Sequence, residues 1–177
     1  EAIGYDLYCK IVDSAVREAK GEELPKDIDT VVDIPISANI PKRYIPREAE
    51  RLSMYKRIAF IAAQADVYDV QDELIDRYGD IPEEVQNLIF IALIKAEAQR
   101  AYMQRLMVRD GEVRIVFDPE APMDGAKLFA AANNIAGAAM LPEEVPTIVI
   151  RRPKSDVKKL CSELTQIVYM MSDCIVK

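Results

Sequence analysis

Residues 82–117, PEEVQNLIFIALIKAEAQRAYMQRLMVRDGEVRIVF, change their hydrophobic period part-way along. Pro82 followed by Glu83 and Glu84 is a helix-opening signal, because proline suits the first turn and acidic side chains suit the positive end of the helix dipole. Val85, Leu88, Ile89, Ala92, Leu93 and Ala96 then recur at helical spacing along one side, and Ile91 and Ile94 extend the apolar surface to another. This predicts the central helix of a core. After Arg105 the pattern alternates instead. Leu106 to Arg109 and Val113 to Phe117, on either side of Asp110 and Gly111, predict a β-hairpin. The fold expected is α+β: a helical half, about residues 1–104, and then a small, mainly antiparallel sheet with helices packed on one face, about 105–177.

Working toward the N-terminus, Asp66 is the expected cap of a helix that buries Val67, Val70, Leu74 and Tyr78 and stops at Gly79. A helix from about Arg47 to Ala63 is expected to turn Leu52, Tyr55, Ala59 and Ala62 to one side. Pro41 and Pro46 keep the chain before it irregular. Asp29 to Ile36 is β-branched and alternating, but Pro35 removes a ladder donor, so an edge strand or an extended arm is expected. Its partner, whether the hairpin, another chain or none, stays open. Ile3, Leu7, Ile11 and Ala15 predict a first helix to about Lys20, capped by Gly21. Toward the C-terminus, Pro122 to Asn134 reads as a short helix, Ala138 to Leu141 as a weak strand and Thr147 to Arg151 as a strong one. Ser155 is the expected cap of a last helix carrying Val157, Leu160, Cys161, Leu164, Ile167, Val168 and Met171.

Composition removes most chemistry. The 177 residues contain no histidine, which takes away the commonest general base, the usual catalytic triads and most zinc sites. None of the six glycines belongs to a phosphate-cradling motif. Cys9, Cys161 and Cys174 fall in apolar helical patterns at unrelated spacings and read as free thiols, with no metal site. Carboxylate pairs such as Asp72 and Asp76 read as solvated helix faces. No catalytic, cofactor-binding or metal-binding residue is assigned. No run approaches the roughly 20 apolar residues a bilayer span requires, and there is no leader-like segment, so a cytoplasmic protein is expected. The first residue, Glu1, lies inside a helical pattern without an initiator methionine, which suggests a single domain cut from a longer chain. A net charge of −7 repels a phosphate backbone, so tight DNA binding by this segment is not expected.

Two basic clusters interrupt that acidity. Lys42, Arg43, Arg47, Arg51, Lys56 and Arg57 are interspersed with Glu48 and Glu50. Arg151, Arg152, Lys154, Lys158 and Lys159 stand at the start of the last helix, where cations oppose the helix dipole. This second cluster is the candidate secondary surface, and a nucleic-acid-binding module built on it is the alternative reading. The most informative surface is the helix before Gly79. At about 100° per residue, Asp69, Glu73, Asp76 and Arg77 share one sector opposite the apolar stripe, with Glu73 four residues before Arg77 in the favourable order.

Three stretches, IGYDLYCKIVDSAV from Ile3, DIPISANIPKRYIPREAERLSMYKRIA from Asp33 and ELIDRYGDIPEEVQNL from Glu73, resemble the C-terminal domain of bacterial transcription-repair coupling factors. The likeness is close over residues 1 to about 95, and beyond that persists only in the order of elements. What the resemblance implies is a parent that is a large ATP-driven DNA translocase, using ATP and magnesium in its motor domains. Such a parent removes stalled RNA polymerase from double-stranded DNA at damage. The domain itself, on the same ground, is non-catalytic and regulatory. It folds back on an N-terminal module resembling the excision-repair protein UvrB, masks the surface that recruits UvrA, and so regulates that recruitment indirectly while repressing the motor. Glu73, Asp76 and Arg77 match the family stretch and become the expected docking residues, with Asp69 beside them.

Overall fold

Local signals and packing agree over most of the chain. The structure, a computed structural model, describes residues 29–152 and 156–176. The expected first helix with Gly21 and Cys9 lies outside the described residues, as do Ser155 and Lys154. The chain divides into two units.

The first unit, in its described part, is Ser37–Leu93. It contains α1 (Glu48–Ala59), α2 (Gln64–Tyr78) and the first half of α3 (Glu83–Arg100). Ile40, Ile45, Met54, Ile58, Ile61, Val67, Val70, Leu74, Val85, Leu88 and Ile89 form one buried cluster. The α1 face differs from the expectation. Met54 and Ile58, four residues apart, are buried, whereas Leu52 is 44% exposed and Ala59 is also exposed. Leu52 and Met54 point about 200° apart on a helix, so only one of them can face the cluster that Ile40, Ile45 and Ile61 supply. Tyr55 is half-buried because its hydroxyl accepts from the Ile40 backbone N–H at 2.8 Å.

α2 begins earlier than expected. Ala63 is its N-cap, and Asp66 stands in the first turn, where it reaches back to accept from the N–H groups of Ala62 and Ala63 at 2.8 and 2.9 Å. Asp66 thus satisfies orphan donors from inside the helix, as the acidic member of a capping box does. At the other end Gly79 adopts φ 80° and ψ −154°, a conformation only glycine holds without strain, and α2 stops there. The Tyr44 hydroxyl closes that end by donating to the carbonyls of Gly79 at 3.1 Å and Leu74 at 3.3 Å.

The second unit, in its described part, is residues 29–36, 94–152 and 156–176. Its five strands, β1 (Val31–Asp33), β2 (Met103–Arg109), β3 (Glu112–Phe117), β4 (Ala138–Leu141) and β5 (Thr147–Arg151), lie in the order β1-β2-β3-β5-β4. All pairings are antiparallel except β1 with β2, which is parallel. The arm before Pro35 therefore pairs with the hairpin as an edge strand, anchored by Thr30, whose hydroxyl donates to the Met103 carbonyl at 2.7 Å. Asp110 and Gly111 both have positive φ, 50° and 79°, as the two-residue turn joining Arg109 to Glu112 requires. The hairpin is longer than expected at its start, with a register irregularity between Met103 and Arg105.

α4 (Gly125–Asn133) is capped by Asp124, and α5 (Val157–Ser172) by Asp156, whose carboxylate accepts from the Lys159 N–H at 2.9 Å. The expected cap, Ser155, is one residue too early. Leu160, Leu164, Ile167, Val168 and Met171 of α5 are buried, as are Leu106, Val113, Ile115, Phe117, Ile148 and Ile150 on one face of the sheet. The alternate positions put Arg105, Arg109, Arg114 and Arg151 on the other.

Candidate functional site

α2 positions the candidate residues because its core side is fully committed. Val67, Val70 and Leu74 are 5%, 1% and 0% exposed, and that burial fixes the rotation of the helix. Asp69 and Asp76 consequently stand exposed, and Glu73 and Arg77 lie toward one edge of the outward face. Arg77 donates to Glu73 at 2.9 Å across one helical turn, and the second Glu73 oxygen lies 3.5 Å from Arg57 of α1. The Glu73 carboxylate holds the Arg77 guanidinium above its already high range. Arg77 also lies over the Tyr78 ring at 4.9 Å, and Tyr78 meets Tyr44 edge-on at 5.8 Å. Burial pushes the Tyr44 phenol up, with Tyr78 and Asp80 adding to the effect, and burial likewise raises Tyr78.

The four candidates therefore separate into two kinds. Glu73 and Arg77 are held in a network inside the unit, while Asp69 and Asp76 make no ion pair among the described residues. Periodicity alone could not reveal Arg57 as the second partner of Glu73, since the two are brought together only by packing of α1 on α2. Three residues outside the expected set complete the outward face. Asp72 is exposed between Asp69 and Asp76, and Tyr68 and Ile75 are 59% and 52% exposed. The signal for them was present, because they fall at helical spacing on the side away from Val70 and Leu74.

The TRCF domain family model matches residues 34–128, more than half of the chain, with α2 inside the match. A transcription-repair-coupling factor of Staphylococcus epidermidis is 34% identical over 142 residues, covering 78% of this chain and 12% of that protein. The chain belongs to the transcription-repair coupling factor family. The relative in Bacillus subtilis is 32% identical over 136 residues, 75% of this chain and 12% of that protein, and the one in Myxococcus xanthus is 28% identical over 172 residues, 97% and 14%. This TRCF domain thus spans about an eighth of the curated relatives it matches. Its fold is that of a crystal structure of the C-terminal domain of a transcription-repair coupling factor, with TM-score 0.76 at 21% identity, over 83% of this chain and 94% of that one.

The first basic cluster of the TRCF domain is largely occupied. Arg43 pairs with Glu84 at 2.6 Å, Arg47 with Glu50 at 3.2 Å and Arg57 with Glu73, while Arg51 donates to the carbonyls of Ile45 and Pro46. Arg152 is paired with Glu163 of α5, and burial draws its pKa down. Arg151, Lys158 and Lys159 remain exposed, at the end of β5 and in the first turn of α5. Cys174 is buried and Cys161 half-buried, both free, and burial raises both thiols above their ordinary range. Among the described residues no group of three or more cysteines and carboxylates is placed to share a metal ion, and no helix is long and apolar enough to cross a membrane.

Proposed function

We propose that this chain is a non-catalytic regulatory module of a cytoplasmic transcription-repair coupling factor, and that it docks through α2 on the parent's UvrB-like N-terminal module. Docking covers the surface that recruits UvrA and represses a translocase that, with ATP and magnesium in its own motor domains, displaces stalled RNA polymerase from double-stranded DNA. The observation that supports the reading most directly is the outward face of α2, inside the segment matched by the family, where Asp69 and Asp76 are exposed and Glu73 and Arg77 stand at its edge.

The physics of such a face suits a reversible latch. Exposed ion pairs contribute little each and fix orientation more than affinity. Within one polypeptide the two surfaces meet at an effective concentration on the order of millimolar, so a weak contact keeps the closed state dominant. Binding of polymerase or nucleotide elsewhere opens the latch if those ligands favour the open form.

In the full-length parent, changing Glu73, Asp76 and Arg77 together to alanine is expected to raise both UvrA capture and basal ATPase activity. Unchanged values for both would contradict the reading. Salt-dependent DNA binding by this chain, abolished by changing Arg151, Lys158 and Lys159 to alanine, would instead favour a nucleic-acid module.

A further inference from the structure

We propose that β1 is a detachable strap, and that its docking holds the joint between α3 and β2 in a strained form that relaxes when the strap lifts. The joint is Tyr102. α3 ends with the Ala101 N–H donating to the Glu97 carbonyl and the Tyr102 N–H to the Gln99 carbonyl, both at 3.0 Å. Tyr102 itself has φ 55°, the left-handed conformation that a helix end usually gives to glycine and that a bulky aromatic residue rarely adopts. Immediately beyond it the pairing of β2 with β3 is irregular, between Met103 and Arg105. Asp110, the other non-glycine residue with positive φ among the described residues, sits in a two-residue turn that requires it. Tyr102 has no such turn around it.

A residue in this conformation keeps it only where the surroundings impose it. The Tyr102 carbonyl accepts from the Asp118 N–H at 2.8 Å, and next to it the Met103 carbonyl accepts from the Thr30 hydroxyl at 2.7 Å. Thr30 is 2% exposed and Met103 is fully buried, so this bond forms away from water, where a polar group left without a partner is costly. Thr30 belongs to the approach to β1, and β1 is lightly held. It has three residues, lies at the edge of the sheet, and makes the parallel pairing. Ile34 is buried just beyond it, but Val31 is 48% exposed and Asp33 is tied to Arg109 only by an ion pair at the surface. The four antiparallel strands keep their own ladders without β1. Local opening therefore begins at β1, and lifting it takes the Thr30 hydroxyl away from the joint. The chain enters β1 from before Asp29 and leaves it at Pro35, so whatever displaces either flank acts on the joint through Thr30. The switch uses no residue of α2 and stands apart from the docking role proposed above.

The test is amide hydrogen exchange in the intact parent, read by mass spectrometry on peptides covering residues 29–36, 102–107 and 113–117. Thr30→Val keeps the side-chain shape and removes the donor. It is expected to speed exchange several-fold at both 29–36 and 102–107, while 113–117 stays as in the wild type and reports that the sheet is folded. Coupling between two sites is reciprocal, so relieving the joint must also tighten the strap. Tyr102→Gly and Tyr102→Asn, which tolerate the left-handed conformation, are expected to slow exchange at 29–36 several-fold, and Tyr102→Phe, which keeps the strain, to leave it unchanged. Faster exchange confined to 29–36 in Thr30→Val would overturn the proposal, as would exchange at 29–36 that Tyr102→Gly and Tyr102→Asn leave unchanged or raise.

Discussion

Tyr44 shows how single residues hold the candidate face in place. Its hydroxyl binds two carbonyls at the end of α2, and its ring supports Tyr78, which in turn lies beneath Arg77. Removing that hydroxyl with Tyr44→Phe is expected to lower stability by about 1 kcal/mol, read as a shift in the denaturant midpoint. The same residue sets a pH dependence. Burial raises the Tyr44 and Tyr78 phenols, so the folded chain holds these protons more tightly than the unfolded one. Stability is then unaffected below the tyrosine range and falls as pH rises past about 10, and Cys161 and Cys174, raised for the same reason, begin the decline above about 8.5. Denaturant midpoints taken from neutral pH upward should fall in that order, with a shallower tyrosine step in Tyr44→Phe. Gly79→Ala tests the helix stop. A Cβ there would meet nothing within 4 Å, so the expected loss of about 1–3 kcal/mol comes from the backbone conformation alone.

At the scale of the element, α2 divides its apolar residues between core and solvent. Leu74 is fully buried and Ile75, its neighbour, is half exposed. Leu74→Ala is expected to cost about 2–5 kcal/mol, whereas Ile75→Ala should stay within about 0.5 kcal/mol, both by equilibrium unfolding. A result with the two costs equal would mean that α2 is rotated from the position described. The sequence was informative wherever a local rule sufficed. Asp110 and Gly111 between alternating strands marked the hairpin, and β4 and β5 fall at their expected bounds. It was less informative where tertiary contacts choose between local options. The α1 face turned on whether Leu52 or Met54 met a cluster supplied by other segments, and the cap of α2 moved three residues, from Asp66 to Ala63, while that of α5 moved one, to Asp156. For β1, three residues flanked by proline carry no information about which strand they join. The acidic part of the α2 face was legible from helical spacing, but the pairing of Glu73 with Arg57 depends on helix packing, and the exposure of Tyr68 and Ile75 was fixed only once the core side of α2 was known.

For the whole molecule, a net charge of −7 and a face that concentrates exposed aspartates work against nucleic acid as a partner. Elsewhere among the described residues Arg43 pairs with Glu84, Arg109 with Asp33 and Arg152 with Glu163. A latch built from a weak face in high effective concentration can open, which a large apolar interface would resist. The most direct measurement is a titration of this chain into the UvrB-like N-terminal module of its parent, followed by amide NMR shifts, with wild type and with Glu73, Asp76 and Arg77 all changed to alanine. Weak binding with shifts along α2, abolished by the triple substitution, is the predicted result; no shifts on α2 even at millimolar concentration would contradict the docking role.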